Sequence, residues 1–169
     1  PHLLDDEMFK KIVTIIRIAV PYTGMILSTR ESAEMRELLL KYGISQVSAG
    51  SCTGVGGYEE HIKGKQVSQF KLADERSPRQ VIEDLMKAGY IPSYCTSCYR
   101  TGRVGEKFME IAKTEKIHNM CKPNALTTLL EYAVDYGDEE LLQKVETFVK
   151  EQASEIENTH IRNFVLKNI

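Results

Sequence analysis

Apolar positions fall at helical spacing over the first stretch of the chain. Phe9, Ile12, Val13, Ile16, Ile18 and Ala19 form one face of a helix over residues 5–19. Asp5 and Asp6 favour its start and Pro21 stops it. Met25 to Thr29 is short and apolar and suits a buried strand. A second helix opens at Glu31 or Ser32, turns Met35, Leu38 and Leu39 inward, and ends near Gly43. Ile44 to Ala49 is the next strand, running into the glycine-rich stretch Gly50 to Gly57. This αβαβ alternation implies parallel strands joined by crossover helices.

Further along, Phe70 to Ala73 reads as a short extended piece. Ser77-Pro78 announces a helix with Val81, Ile82, Leu85 and Met86 on one face and Gly89 at its end. Ile91 to Tyr94 is a last short strand candidate. Beyond it the pattern is helical, over roughly 104–117, 123–136, 138–153 and 158–167. Asp138 is a good N-cap, and Pro123 fits the first turn of the helix that follows Cys121. The pattern therefore predicts two parts, α/β over residues 1–90 and mostly helical over 91–169. Two or three parallel strands bury poorly by themselves, because parallel sheets want both faces covered. The first part thus reads as the end of a larger barrel or sheet, a fragment.

Composition narrows the function classes. Hydrophobic residues make up 42% and charged residues 27% of 169 residues, with net charge −2. No basic excess points to nucleic acid. No apolar run approaches the about 18–20 residues a membrane helix needs. The opening Pro1 to Asp6 resembles neither a signal nor a transit peptide. Four cysteines in a chain of this size suit reduced thiols in the cytoplasm better than a secreted disulfide framework.

Three of those cysteines carry the chemistry. Cys95, Cys98 and Cys121 form C-x2-C-x22-C, so two thiolates come from one turn and a third from the next element. Iron–sulfur clusters are held by cysteine thiolates, and three ligands on a four-iron cluster leave one iron open. Other readings of the spacing remain. One is a zinc site completed by His118, another a redox dithiol, and a third a set of buried thiols. The dithiol motif should open a helix after a strand, and Tyr99-Arg100-Thr101-Gly102 interrupts such a start. Cys52 stands apart, as a buried or loop thiol. Arg100 and Arg103 flank the triplet, where positive charge stabilises thiolates.

Ligands of parallel α/β folds gather at the carboxyl ends of strands. Two strand ends here are polar: Ser28-Thr29-Arg30 and Ser48-Ala49-Gly50-Ser51. Arg30 has the two-point geometry to clamp a carboxylate, or else pairs at the surface with Glu31 or Glu34. The run Gly54-x-Gly56-Gly57 lacks the Lys-Ser or Lys-Thr ending of a phosphate loop, and no clear helix start follows it.

Pro21 to Glu31, Ser48 to Ser51 and Gly56-Gly57-Tyr58 resemble the closing strands of the tyrosine-cleaving radical S-adenosylmethionine (SAM) enzymes. Gly89 to Arg100, with Cys121, is similar to the branch that serves FeFe-hydrogenase maturation. The resemblance implies the C-terminal strands and helices of a (βα)8 barrel, followed by a small helical domain. It implies a lyase that converts tyrosine to p-cresol and dehydroglycine, the source of carbon monoxide and cyanide. It further implies an auxiliary 4Fe–4S cluster on Cys95, Cys98 and Cys121, whose open site takes free cysteine and a further iron. The product is an iron carbonyl–cyanide unit delivered among hydrogenase maturation proteins. SAM, tyrosine and a second 4Fe–4S cluster belong to the intact enzyme, with Arg30, Ser28, Ser48 and Ser51 as expected substrate-binding residues. The family's C-x3-C-x2-C motif occurs nowhere in this sequence, so the chain alone is expected not to cleave SAM or tyrosine.

Overall fold

The computed structural model describes residues 4–54, 56–63, 68–114 and 116–169. Pro1 to Leu3, Val55 of the glycine-rich run and Glu115 of the expected 104–117 helix lie outside the described residues. The chain divides into two compact units, Pro1–Val81 and Ile82–Ile169.

The first unit is built from α1 (Asp6–Ala19), β1 (Ile26–Leu27), α2 (Ala33–Leu40), β2 (Gln46–Val47) and the short α3 (Gly57–Ile62). Asp5 caps α1, its carboxylate accepting the Met8 N–H at 2.7 Å. Ser32 caps α2 in the same way through Met35 N. The two strands pair in parallel, Ile26 opposite Gln46 and Leu27 opposite Val47. Val13, Leu27, Met35, Leu39 and Ile44 form the core between helices and strands. Arg17 at the end of α1 secures the loops that feed the strands. Its guanidinium donates to the carbonyls of Gly43, Pro21 and Thr23. Gly43 has φ +101, and a Cβ there would lie 2.7 Å from the Arg17 side chain, so glycine is required on both counts.

The second unit holds most of α4 (Pro78–Lys87), then α5 (Ser97–Arg100), α6 (Glu106–Ala112), α7 (Lys116–Tyr136), α8 (Glu139–Ser154) and α9 (Thr159–Leu166). Asp138 caps α8 through Leu141 N at 2.9 Å, as its sequence position predicts. Asn158 caps α9 through His160 N and Ile161 N. One apolar core joins Ile82, Leu126, Leu129, Leu130, Leu141, Val145, Val149 and Val165. Leu129 is fully buried there. Leu129→Ala is expected to cost about 2–5 kcal/mol, read as a lower midpoint in urea unfolding of the helical signal.

The molecule is rich in helix, with only these two short strands among its described residues. Four local expectations are corrected. Residues 70–73 are not a strand, because the Ala73 and Asp74 N–H groups both turn onto one carbonyl, that of Thr29. Residues 91–94 are not a strand either, and Pro92 brings no N–H to a ladder. A helix does follow the glycine-rich run, α3, which starts at Gly57. Finally, Pro123 lies inside α7, not in its first turn. The helix has already begun at Lys116 and tolerates the proline, which supplies no N–H to the carbonyl four residues back.

Candidate metal centre

α4 ends at a reversal that only glycine accepts comfortably. Gly89 has φ +80, and the N–H groups of Gly89 and Tyr90 close onto the Met86 and Leu85 carbonyls at 2.9 Å each. From there the chain runs without regular structure through Pro92, which is buried, to Cys95, whose N–H donates to Ser93 Oγ at 3.2 Å. Cys98 sits in the single turn of α5, so a helix does open at the C-x-x-C pair despite Gly102. No strand leads directly into it, residues 91–96 being irregular, so the arrangement is not the strand-to-helix dithiol of a thioredoxin-like unit.

After α5 the backbone folds back on itself. Arg103 N donates to the Cys98 carbonyl at 2.8 Å, and Arg103 Nε to Thr101 Oγ1 at 2.9 Å. Thr101 Oγ1 in turn donates to the Ser97 carbonyl at 2.8 Å. Gly102 and Gly105, with φ +65 and +57, let the chain turn into α6. Cys121 then comes from α7, three residues after the exposed His118.

The three thiols belong to one electrostatic neighbourhood. Desolvation raises the Cys121 pKa most, charge on Cys98 and Cys95 raises it further, and Arg103 pulls it down. All three are unbridged, with Cys95 and Cys98 half-buried and Cys121 exposed. Among the described residues, no three His, Cys, Asp or Glu side chains are gathered tightly enough for a single metal ion. A four-iron cluster is bulkier than one ion and asks for wider spacing. The donor set of three free thiols from two segments, with a cationic neighbour, fits such a cluster.

Cys52 belongs to the other unit and has a packing partner of its own. A Cβ added at Gly57 would lie 2.6 Å from its sulfur, so the thiol fills the space beside the start of α3.

The strand-end residues lie in the first unit. Ser28 and Arg30 follow β1 and are exposed, and Ser28 Oγ accepts the Arg30 N–H at 3.3 Å. The Arg30 guanidinium lies over the Phe70 ring, 4.6 Å from its centroid. Ser48 and Ser51 are half-buried after β2, and the Ser48 N–H donates to the Leu27 carbonyl at 3.0 Å.

Sequence reading missed the residues that hold these strand ends in place. Arg36 and Asp74 are buried, at 2% and 3% exposure, and form a direct ion pair. Arg36 also donates to the Ser48 carbonyl. Asp74 accepts from Arg76 through the backbone N–H at 3.0 Å and through Nη2 at 2.8 Å. Arg76 reaches on to Glu37 at 2.8 Å, and its carbonyl accepts the Gly50 N–H. Burial works against ionisation of Asp74, yet hydrogen bonds from Arg76 and the charges of Arg36 and Arg76 outweigh it and hold the pKa at about 2. The folded value lies below the ordinary 3.8, so this carboxylate stabilises the fold fully above that value. Its contribution is expected to fade as pH falls from about 4 towards 2, and an acid titration of the circular dichroism signal checks it. Asp74→Asn should flatten that part of the curve.

This chain belongs to the Biotin and Thiamin Synthesis associated domain family, whose model matches residues 1–91. The 2-iminoacetate synthases of Escherichia coli K12 and Salmonella typhimurium LT2 are 31% and 32% identical to it over 90 and 91 residues, each match covering 53% of this chain and 23% of the relative. Over 99% of its length the chain is similar to the C-terminal part of HydG, a maturase of the FeFe-hydrogenase, seen in a crystal structure. That similarity has 48% sequence identity and a TM-score of 0.89, and covers 36% of the HydG chain. The chain therefore spans about a quarter of the curated relatives and about a third of the solved structure. The similarity to HydG includes residues 92–169, beyond the family match, and with them Cys95, Cys98 and Cys121.

Proposed function

We propose that this chain is the auxiliary-cluster portion of a radical SAM tyrosine lyase of FeFe-hydrogenase maturation. The observation that supports it most is similarity to HydG at 48% identity across 99% of the chain, running through the segment that carries the three thiols. In this reading residues 1–90 close a (βα)8 barrel and residues 91–169 form the cluster domain. Cys95, Cys98 and Cys121 hold a 4Fe–4S cluster, whose chemistry when bound is that of an iron without a protein ligand, open to free cysteine and a further iron. Burial and the neighbouring thiols raise the Cys121 pKa, and Arg103, held by its bonds to Thr101 and the Cys98 carbonyl, is the positive charge that opposes this rise. The intact enzyme binds SAM and tyrosine, makes p-cresol and the precursors of carbon monoxide and cyanide, works in the cytoplasm and passes its product to hydrogenase maturation proteins. The chain alone is inactive, because it has no C-x3-C-x2-C for the SAM-cleaving cluster.

Anaerobic reconstitution with iron and sulfide tests this directly. The expected product is brown, holds about four irons per chain and shows a paramagnetic signal on reduction. Incubated with reductant, SAM and tyrosine, it yields no 5′-deoxyadenosine or p-cresol. One zinc per chain in place of iron would favour a free-standing metal-binding module and overturn the cluster.

Arg30, Ser28, Ser48 and Ser51 are assigned to the substrate side of the intact barrel. Phe70 holds the Arg30 guanidinium by its face, leaving the in-plane donors for a carboxylate. Arg30→Lys in the intact enzyme is expected to weaken substrate binding by about tenfold, the worth of one charge-assisted hydrogen bond, with iron content unchanged. Equal substrate affinity in the variant would return Arg30 to a surface role.

A further inference from the structure

We propose that Tyr94 and Tyr132 form a clamp that fixes the Cys95–Cys98 segment against the helix that bears Cys121. This deepens the cluster reading above and rests on it. The two rings stack with centroids 4.9 Å apart and planes 11° from parallel. Tyr94 immediately precedes Cys95, and Tyr132 lies on α7, the element that carries Cys121. Tyr136, one turn further on, extends the stack at 5.5 Å with a tilt of 37°.

The two ligand segments need such a tie. Residues 91–96 have no regular structure, and Cys95 N bonds to the nearby Ser93 side chain at 3.2 Å. Cys121 rides on the part of α7 before Pro123, where the flanking positions 118 and 119 are exposed and 120 and 122 half-buried. After Pro123 the helix is anchored, because Leu126, Leu129, Leu130 and Ala133 enter the core. Tyr132 belongs to this anchored stem, about 16 Å along the helix axis from Cys121. It packs against the core itself. By stacking on it, Tyr94 refers the Cys95 loop to the same rigid body that sets the position of Cys121. The separation of the ligands is then fixed before any metal arrives. A flat aromatic pair suits the task, because stacking adds to the large apolar area each ring covers and holds the two segments face to face.

The test measures thiol proximity without a cluster. In a Cys52→Ser/Cys98→Ser background only Cys95 and Cys121 remain, and dibromobimane becomes fluorescent when it bridges two thiols. Tyr94→Ala and Tyr132→Ala are expected to slow bridging by about two- to tenfold, the factor one aromatic pair can supply. Tyr132→Phe keeps the stack and should bridge at the parent rate. If Tyr132→Ala loses helical signal, Tyr94→Ala, on an exposed side chain, decides. In the unmodified chain loaded with iron and sulfide, Tyr94→Ala should also release iron to a chelator faster and broaden the paramagnetic signal. Parent-rate bridging in the alanine variants, slow bridging in Tyr132→Phe, or no bridging in the parent would each overturn the clamp. A parent that bridges but takes up no iron would sink the proposed cluster and leave the clamp standing.

Discussion

Replacing Cys121 with Ala is expected to cut the iron bound after anaerobic reconstitution from about four per chain to less than about one. Cys52→Ala should leave that content unchanged. The contrast rests on where each sulfur sits. Cys121 feels the charges of Cys98, Cys95 and Arg103, so its thiol shares a neighbourhood with the other two. It is also the sole contribution of α7 to the triplet, and its loss leaves two ligands on one short segment. Two thiolates three residues apart bind two of the four irons, along one edge of a cubane, and do little to keep the whole. Cys52 lies in the other unit, packed beside Gly57. Its truncation opens space next to a six-residue helix and removes no member of the triplet. Absorbance near the visible iron–sulfur bands, together with iron and sulfide counts, reads the outcome. Equal losses from both replacements would sink the assignment.

How much of this could be read from the sequence depended on the range of the signal. The cap of α8 was legible because a cap acts over three residues, and Asp138 bonds where its position predicts; Asp5 and Ser32, read only as marking helix starts, proved to cap α1 and α2 in the same way. The apolar stripe of α8 was legible too, with Leu141, Val145, Phe148 and Val149 buried and Leu142, expected on the same face, half-buried against the core. Pro123 misled, because a proline in a first turn and one tolerated inside a helix look alike locally, and the helix begins at Lys116, before the cysteine it was expected to follow. The gathering of the three thiols was suggested by C-x2-C-x22-C, but the spacing alone could not choose between zinc, a redox pair and a cluster. The Tyr94–Tyr132 stack and the Arg36–Asp74 pair left no local trace. Their partners are 38 positions apart in each case, and only the folded chain brings them together. A helical pattern with Arg36 between Met35 and Leu39 could have raised the question, since a charge on the buried stripe needs a buried partner.

That buried partner carries the second large effect. Asp74→Asn is expected to destabilise the first unit by about 3–5 kcal/mol, the usual cost of leaving one member of a buried ion pair uncompensated. Arg36 is enclosed, and its Nε already has no hydrogen-bond partner among the described residues. Taking the charge from Asp74 strands the guanidinium in a region where water cannot screen it. The damage reaches both strand ends. Arg36 holds the Ser48 carbonyl, Arg76 holds the Gly50 N–H, and the Ala73 and Asp74 N–H groups hold the Thr29 carbonyl. Glu37→Gln is the control on the same network, because Glu37 is more than half exposed and pairs with Arg76 at the rim. It should cost no more than about 1 kcal/mol. Arg36→Met combined with Asp74→Leu removes both charges together, and should restore part of the loss, since a well-packed apolar pair avoids the desolvation that the ions must overcome. Native-state hydrogen exchange at Leu27 and Leu39, which lie in the core of this unit, reads the change locally. Asp74→Asn exchange at the parent rate would overturn this prediction, because it would mean that Arg36 does not depend on the Asp74 charge.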